Sequence, residues 1–410
     1  MISKKKIHKI ATILPYKESY TINRASAVSL WVSEFYKNSI YKKNNFIYGN
    51  TLPGKYLTKN YRNIYLDSLK FRFQSTSNEY TAKLIYELDK EKFDIIEIHN
   101  RPQVLLKLIN KVNSKFIMYY HNDPLTMSGS KTILERYEII KKVDKLVFIS
   151  KWVKDRFLKG IDNKYLHKIE IIYHSVNERK KTNKSNHIVF VGKLNHSKGY
   201  DIYKEAILQI LNEFPNWRAF SIGDESRRNI YINHKQHKEL GFLNHKKVLE
   251  ILDKSEIAVV PSRWEEPFGR VSLESAACGC ATITSNKGGL SETNDYAINI
   301  DEINSIKLHN YLKSLIQNKA KRKKIQNLSR RNIKHKISNN TKVIDLMRDS
   351  IFPKYQLNIL RKKLKIINLF NQGQKSNYRL YNISLGKKFT NGFIRNNHDV
   401  LEISDRDFIK

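Results

Sequence analysis

Short apolar runs rich in β-branched and aromatic residues alternate with segments of helical periodicity along most of the chain, and no other feature restricts the fold as strongly. In the first half the runs are IATIL (10–14), FIYG (46–49), DIIEIH (94–99), KFIMYYH (115–121) and KLVFIS (145–150). In the second they are IEIIYHSV (169–176), HIVFVGKL (187–194), RAFSIGD (218–224), EIAVVPS (256–262), CATITS (280–285) and YAINI (296–300). Between them, AVSLWVSEFYKN (27–38) sets Val28, Trp31, Val32 and Phe35 on one face, the spacing of an amphipathic helix. SKTILERYEIIKKV (130–143), YDIYKEAILQILNEF (200–214) and HKKVLEILDKS (245–255) repeat that pattern. Near-continuous apolar strands joined through helices predict parallel sheets covered on both faces. The fold class is therefore α/β, with two doubly wound, Rossmann-like domains facing a cleft and ligands at the carboxyl ends of the strands.

The polar stretch NERKKTNKSN (177–186) divides the halves into an amino-terminal domain over 1–176 and a second domain over 177–336. SNNTKVIDLMRDSIFPKY reads as a helix, placed in a crossover segment over 337–356 that returns to the first domain. Residues 357–410 form a linker and a partial α/β segment. Within it LNILRKKLKI (357–366) reads as a basic amphipathic helix, and RLYNISLGKKFTNGFIRNNHDVLEISDRD (379–407) as strand, glycine loop, helix and strand.

The chain carries 75 Lys+Arg against 39 Asp+Glu, a net charge of +36. Such an excess favours anionic partners, including an acidic membrane surface. The lysines are dispersed, however, and general Lys, Asn and Ile enrichment accounts for most of the charge. No helix-turn-helix, zinc or RNA-recognition signature accompanies them, so a specific nucleic-acid partner is not expected. Cys278 and Cys280 stand one residue apart, a spacing that closes no useful loop and matches no metal site, so they read as buried thiols. The start MISKKKIHKIATILPYK fails as a signal peptide, and no window approaches 18 apolar residues. A cytoplasmic protein, at most peripheral on the inner face of the membrane, is expected.

Two motifs carry chemistry. In EEPFGRVSLESAACG (265–279) a loop ends at Gly269 and a helix follows, stopped by Gly279. The amides near Phe268, Gly269 and Arg270 then form an anion site at a helix start. Glu266 precedes that start and Glu274 lies about one turn inside. Carboxylates there suit hydroxyls on either side of a bound phosphate, although a first-turn glutamate also serves simply as a dipole complement. In VGKLNHSKG (191–199) Lys193 and Lys198 lie at the mouth of a strand, placed to converge on one diphosphate, or merely to be solvated.

The order of these motifs resembles the retaining GT-B glycosyltransferases called family 4, which carry a G-[RK]-x4-KG loop and a later E-x7-E element. Here these are GKLNHSKG and EPFGRVSLE, and FSIGDE (220–225), GFLNH (241–245) and ATITSNKGGLSE (281–292) add to the likeness. The resemblance implies that Lys193 and Lys198 hold a leaving diphosphate and that Glu274 binds ribose. It implies that Glu266 and the amides of Phe268 and Gly269 hold the transferred sugar and its phosphate. DIIEIHN (94–100) and YYHNDP (119–124) resemble two strand ends of that family, with His121 beside the donor sugar; His99 reads as an ordinary cleft or core histidine. The Gly-Gly pair usual after the first strand is missing from YTINRASAVSLW, and Arg24 stands as the substitute phosphate contact. The tail resembles the start of a CgeB-like glycosyltransferase domain. The activity so implied is sugar transfer from a nucleotide-diphosphate sugar to a hydroxyl of a saccharide or lipid-linked acceptor, with retention. It needs no metal or cofactor and suits lipopolysaccharide or another surface polysaccharide. The alternatives are a basic nucleic-acid-binding protein and a catalytically inactive scaffold of the same fold.

Overall fold

The computed structural model describes residues 8–66, 75–226, 230–352, 364–370, 385–396 and 398–404. Two compact units divide the chain, residues 1–351 and 352–410. Within the first, seven strands form one wholly parallel sheet: β1 (Ile10–Ile13), β2 (Asn45–Gly49), β3 (Tyr61–Asn63), β4 (Ile95–His99), β5 (Lys115–Tyr120), β6 (Lys145–Phe148) and β7 (Ile169–Ile171), in the order β3-β2-β1-β4-β5-β6-β7. Helices α1 (Ala27–Asn38), α2 (Thr76–Asp89), α3 (Pro102–Ile109), α4 (Ile133–Lys142) and α5 (Lys151–Leu158) make the crossovers. The central strands are buried along their whole length, as parallel strands between helical layers must be. α1 occupies the span that its periodicity predicts, started by Ser26, whose side chain accepts from the Ser29 amide.

The second sheet is also wholly parallel, with β8 (Ser185–Val191), β9 (Arg218–Ile222), β10 (His237–Glu239), β11 (Ser255–Val260), β12 (Ala281–Thr284) and β13 (Ile298–Asn299) in the order β10-β9-β8-β11-β12-β13. Helices α6 (Tyr200–Glu213), α7 (His245–Lys254), α8 (Arg270–Ala277), α9 (Ser305–Gln317) and α10 (Lys319–Arg331) cover it. Cys278 and Cys280 are free and buried beneath this sheet.

Two segments differ from their sequence reading. IEIIYHSV (169–176) is strand only to Ile171, because the chain then leaves the sheet edge. Val176 pairs instead with Lys336 in an isolated parallel bridge, so the two segments that pass between the sheets run side by side. α11 (Ile337–Ser350) follows and packs on the first sheet's helical layer. Its Arg348 donates to both oxygens of Glu97 in β4, at 2.8 and 2.7 Å, and its Asp345 accepts from Ser39 Oγ and the Ile40 amide.

The second unit is a β–α–β element of β14 (Lys365–Phe370), α12 (Leu385–Arg395) and β15 (Asp399–Ser404), its strands parallel. This corrects the helical reading of LNILRKKLKI at its end. Lys365 and Ile366 begin a strand whose exposure alternates with period two; residues 357–363 lie outside the described residues. So do 379–384, where the sequence suggested a strand.

Candidate active site

Each sheet reverses its strand order once, between β1 and β4 in the first and between β8 and β11 in the second. The connections at such a pair diverge to opposite faces and leave a crevice at the carboxyl ends. In the second sheet that crevice is built by two loops. After β8 the chain turns at Gly199 with φ 69°, where a Cβ would stand 2.0 Å from the Pro261 carbonyl oxygen. Only glycine allows this approach, and it presses the loop after β8 against the loop after β11. Asn195 Oδ1 accepts from the Lys198 amide at 3.1 Å, and Lys198 Nζ then reaches Glu266 Oε1 at 2.6 Å.

The loop after β11 enters α8 through Gly269, φ 94°, whose Cβ position lies 2.3 Å from Leu290 Cδ2. The abrupt entry leaves the amides of Phe268, Gly269, Arg270 and Val271 with no acceptor among the described residues. They form a cluster of donors at the positive end of the helix.

These groups meet at a cavity of about 240 Å³ whose walls include His121, His174, Lys198, Glu266, Phe268 and Gly269. Thus five of the residues singled out in the sequence, His121, Lys198, Glu266, Phe268 and Gly269, come together. Three do not line the cavity. Lys193 is exposed and has no partner side chain among the described residues, so the two lysines do not converge. Arg24 is exposed in the loop before α1 and likewise pairs with nothing among them. Glu274 is buried on the inner face of α8, where its Oε1 accepts from Arg270 Nε at 2.5 Å and from His245 Nε2 at 2.7 Å. Burial pushes the Glu274 carboxyl up, but the charges of Arg270 and His245 outweigh it and hold it down at about 2. Its Oε2 accepts from no donor among the described residues.

The amino-terminal wall is aromatic and imidazole-rich. His121 Nε2 lies 2.8 Å from His99 Nδ1, so His99 fixes the His121 ring rather than serving only as core. The Trp31 ring meets both edge-on, at 5.6 Å from His99 and 5.1 Å from His121. Burial, with the neighbouring His99, holds His121 well below the usual histidine range. Burial, with Arg270 and His121, does the same for His174. Both rings are therefore neutral at neutral pH. Their Nδ1 atoms, and Nη1 of Arg270, are buried without a partner among the described residues. Unspent polar atoms around one cavity are what a polar ligand would satisfy.

Sequence reading missed the groups that join the two sheets here. Arg270 Nη2 donates to Glu34 of α1 at 2.7 Å while its Nε holds Glu274. Glu292 accepts from the Lys151 and Trp152 amides at the start of α5, at 2.7 and 2.9 Å, and Ser150 Oγ donates to the Pro267 carbonyl. Arg270 was visible in the motif only as an amide donor. Nothing in the sequence paired it with Glu34, 236 residues away. His174 carried the one available signal, a polar residue near the end of an apolar run.

Residues 174–332, the part that holds β8 to α10, match the family Glycosyl transferases group 1. Spore coat protein SA of Bacillus subtilis (strain 168) is 26% identical over 284 residues, 60% of this chain and 74% of that protein. An uncharacterized 42.6 kDa protein in the cps region of Klebsiella pneumoniae is 30% identical over 172 residues, 39% of this chain and 43% of its own length. Among solved structures, Anabaena HepE in complex with UDP-glucose superposes with a TM-score of 0.67 at 14% identity, covering 84% of this chain and all of that one. The fold is that of the GT-B glycosyltransferases, and residues 174–332 are similar to the group 1 glycosyltransferase domain. Among the described residues no three histidine, cysteine or carboxylate side chains cluster as metal ligands, and no helix is long and apolar enough to cross a membrane.

Proposed function

We propose that the chain transfers a sugar from a nucleotide-diphosphate sugar to an acceptor hydroxyl with retention of configuration, in the building of a surface polysaccharide. The observation that carries this reading is the meeting of Lys198, Glu266 and the unpaired amides of α8 on one cavity whose far wall holds neutral, unspent histidine nitrogens. A diphosphate leaving group gains negative charge as the glycosidic bond breaks. Lys198 and the helix start stabilise that charge without reorganising, which is where most of the barrier reduction is expected. The sugar ring gains positive charge at the same moment, and uncharged His121 and His174 can bond its hydroxyls without opposing that charge. Glu266 takes sugar hydroxyls once the phosphate draws Lys198 away, and Glu274 Oε2 takes the ribose. The HepE complex with UDP-glucose and the cps-region relative support the donor class and the polysaccharide setting respectively. The proposal includes no metal, no cofactor and no dedicated base; the departing phosphate assists deprotonation of the acceptor. It places the protein in the cytoplasm, with its basic surface free to meet acidic lipid headgroups.

Calorimetry with UDP-, GDP- and ADP-sugars, followed by nucleotide release, tests the reading. Lys198→Ala is expected to slow release by about 100–1000-fold, the usual cost of one preorganised donor. Unchanged release in that variant, or no heat with any sugar nucleotide for the intact chain, overturns it.

A further inference from the structure

One of the amides on the cavity wall is aimed by a contact from the other sheet. Pro267 and Phe268 share one peptide group, and every peptide among the described residues is trans. A trans peptide points its N–H opposite to its C=O. The Pro267 carbonyl accepts from Ser150 Oγ at 2.5 Å, a contact between residues 117 apart in sequence. The Phe268 N–H is thereby turned away from Ser150 and left free for the cavity that Phe268 lines. A carbonyl that accepts a hydrogen bond also polarises the N–H of its own peptide, which strengthens that donor. Ser150 is fully buried, so water does not stand in for its hydroxyl.

Ser150 is itself held in place. It caps α5, its Oγ accepting from the Val153 amide at 3.0 Å while it donates to Pro267. The next two amides of α5, those of Lys151 and Trp152, donate to the two carboxylate oxygens of Glu292 at 2.7 and 2.9 Å. A carboxylate of the second sheet thus completes a helix start of the first. Glu292 ends the segment GGLSE (288–292), whose two glycines lie under the same loop. Gly288 pairs with Glu266 in a parallel bridge, and the Gly289 amide donates to the Glu266 carbonyl at 2.6 Å. A Cβ at Gly289 would stand 2.5 Å from the Pro267 carbonyl oxygen. The loop is therefore held from below by Gly288 and Gly289 and from the side by Ser150, and Glu292 ties the two supports together. We propose that Ser150 and Glu292 are positioning residues for the anion site: its Phe268 donor is aimed only while α5 of the first sheet is seated against the loop. This rests on the sugar-transfer reading and names what aligns the donor's phosphates at that site.

The test compares each nucleoside diphosphate with its own nucleoside on the full chain, by competition in saturation-transfer NMR, using UDP, GDP and ADP beside uridine, guanosine and adenosine. The ratio of the two affinities isolates what the phosphates contribute. Ser150→Gly keeps an acceptable helix cap but has no hydroxyl to donate, and its ratio should fall about tenfold or more, the worth of a hydrogen bond to a charged group. Glu292→Gln offers one acceptor where two amides need it, and should lower the ratio in the same direction without touching Ser150. Ser150→Thr retains the hydroxyl and should keep the parental ratio. A merely structural loss would lower the melting temperature and weaken nucleoside and diphosphate alike, leaving the ratio where it was. A parental ratio in Ser150→Gly and Glu292→Gln, or a ratio that falls equally in Ser150→Thr, overturns the inference. When the parent binds a diphosphate more tightly than its nucleoside and the variants do so equally, the positioning role alone is removed. A parent that binds no diphosphate more tightly than its nucleoside removes the donor reading with it.

Discussion

Replacing Arg270 with Met tests whether one guanidinium joins the two sheets beside the site. Arg270 is largely buried, with Glu34 of α1 at 2.7 Å and Glu274 of its own helix at 2.5 Å. Met keeps most of the volume and removes the charge, stranding two carboxylates. Removing one partner of a buried pair costs about 3–5 kcal/mol. The lower end applies, because Glu274 retains His245 and the Glu34 side chain is 19% exposed. The pH dependence gives a second measure. Glu274 is held down from 4.5 to about 2, a depression equivalent to roughly 3 kcal/mol. A depressed carboxyl stabilises the fold above its unfolded value and loses that contribution as pH falls toward its folded value. The parent should therefore lose stability between about pH 4.5 and 2, whereas Arg270→Met, already weaker at pH 7, should show a flatter acid limb. Urea unfolding followed by tryptophan fluorescence at a series of pH values reads both effects. Adding Glu34→Gln to the variant should recover part of the loss, since it removes one stranded charge. Unfolding free energies within about 1 kcal/mol at pH 7, with parallel acid limbs, would refute the argument.

Two more outcomes follow from buried groups. Arg348→Met leaves Glu97 and Asp345 without their cation at the contact between α11 and the first sheet. A loss of about 3–5 kcal/mol in urea unfolding is expected, and a loss below 1 kcal/mol would show the pair to be solvated. Burial raises both cysteine thiols, Cys280 to about 11, so neither should react with Ellman's reagent at pH 8 until the chain is unfolded. Rapid reaction of either thiol in the native protein contradicts the packing.

The sequence disclosed the fold because burial on both faces forces the strands of a parallel sheet to be apolar throughout. IATI and SEIAVV, which are buried at every position, were the easiest to recognise. Where a run served another purpose the signal misled. In IEIIYHSV the apolar residues after Ile171 pack where the chain passes between sheets: Ile172 and Val176 are buried, and the Tyr173 ring lies 4.1 Å from His335. The candidate site was legible where backbone made it. Gly199 and Gly269 mark conformations that few other residues adopt, and both motifs are organised around them. It was not legible where long side chains chose partners. Lys193 and Arg24 have the right charge near the right loops, yet both remain in solvent. Arg270 and Glu34 act through a contact between segments far apart in the chain, and no local pattern encodes it.

The two acids of EPFGRVSLE, alike in sequence, differ in what holds them, and under the proposed donor reading that difference would order the events of ligand entry. Glu266 is bound by one lysine whose side chain is 31% exposed. An incoming phosphate can take Lys198 at little cost, since a partly hydrated pair is worth only about 1 kcal/mol or less. Glu274 is bound by an arginine whose side chain is only 10% exposed, and that arginine also holds α1. A ligand cannot take Arg270 without stranding Glu34 and parting the two sheets at this point. Glu274 can therefore receive a hydroxyl only on Oε2, with its position already fixed, while Glu266 must be released before it can act. Under the donor reading proposed above, one carboxylate is preorganised and the other is gated by the ammonium group that the phosphate would remove, so nucleotide binding would precede and permit the contact between Glu266 and the sugar.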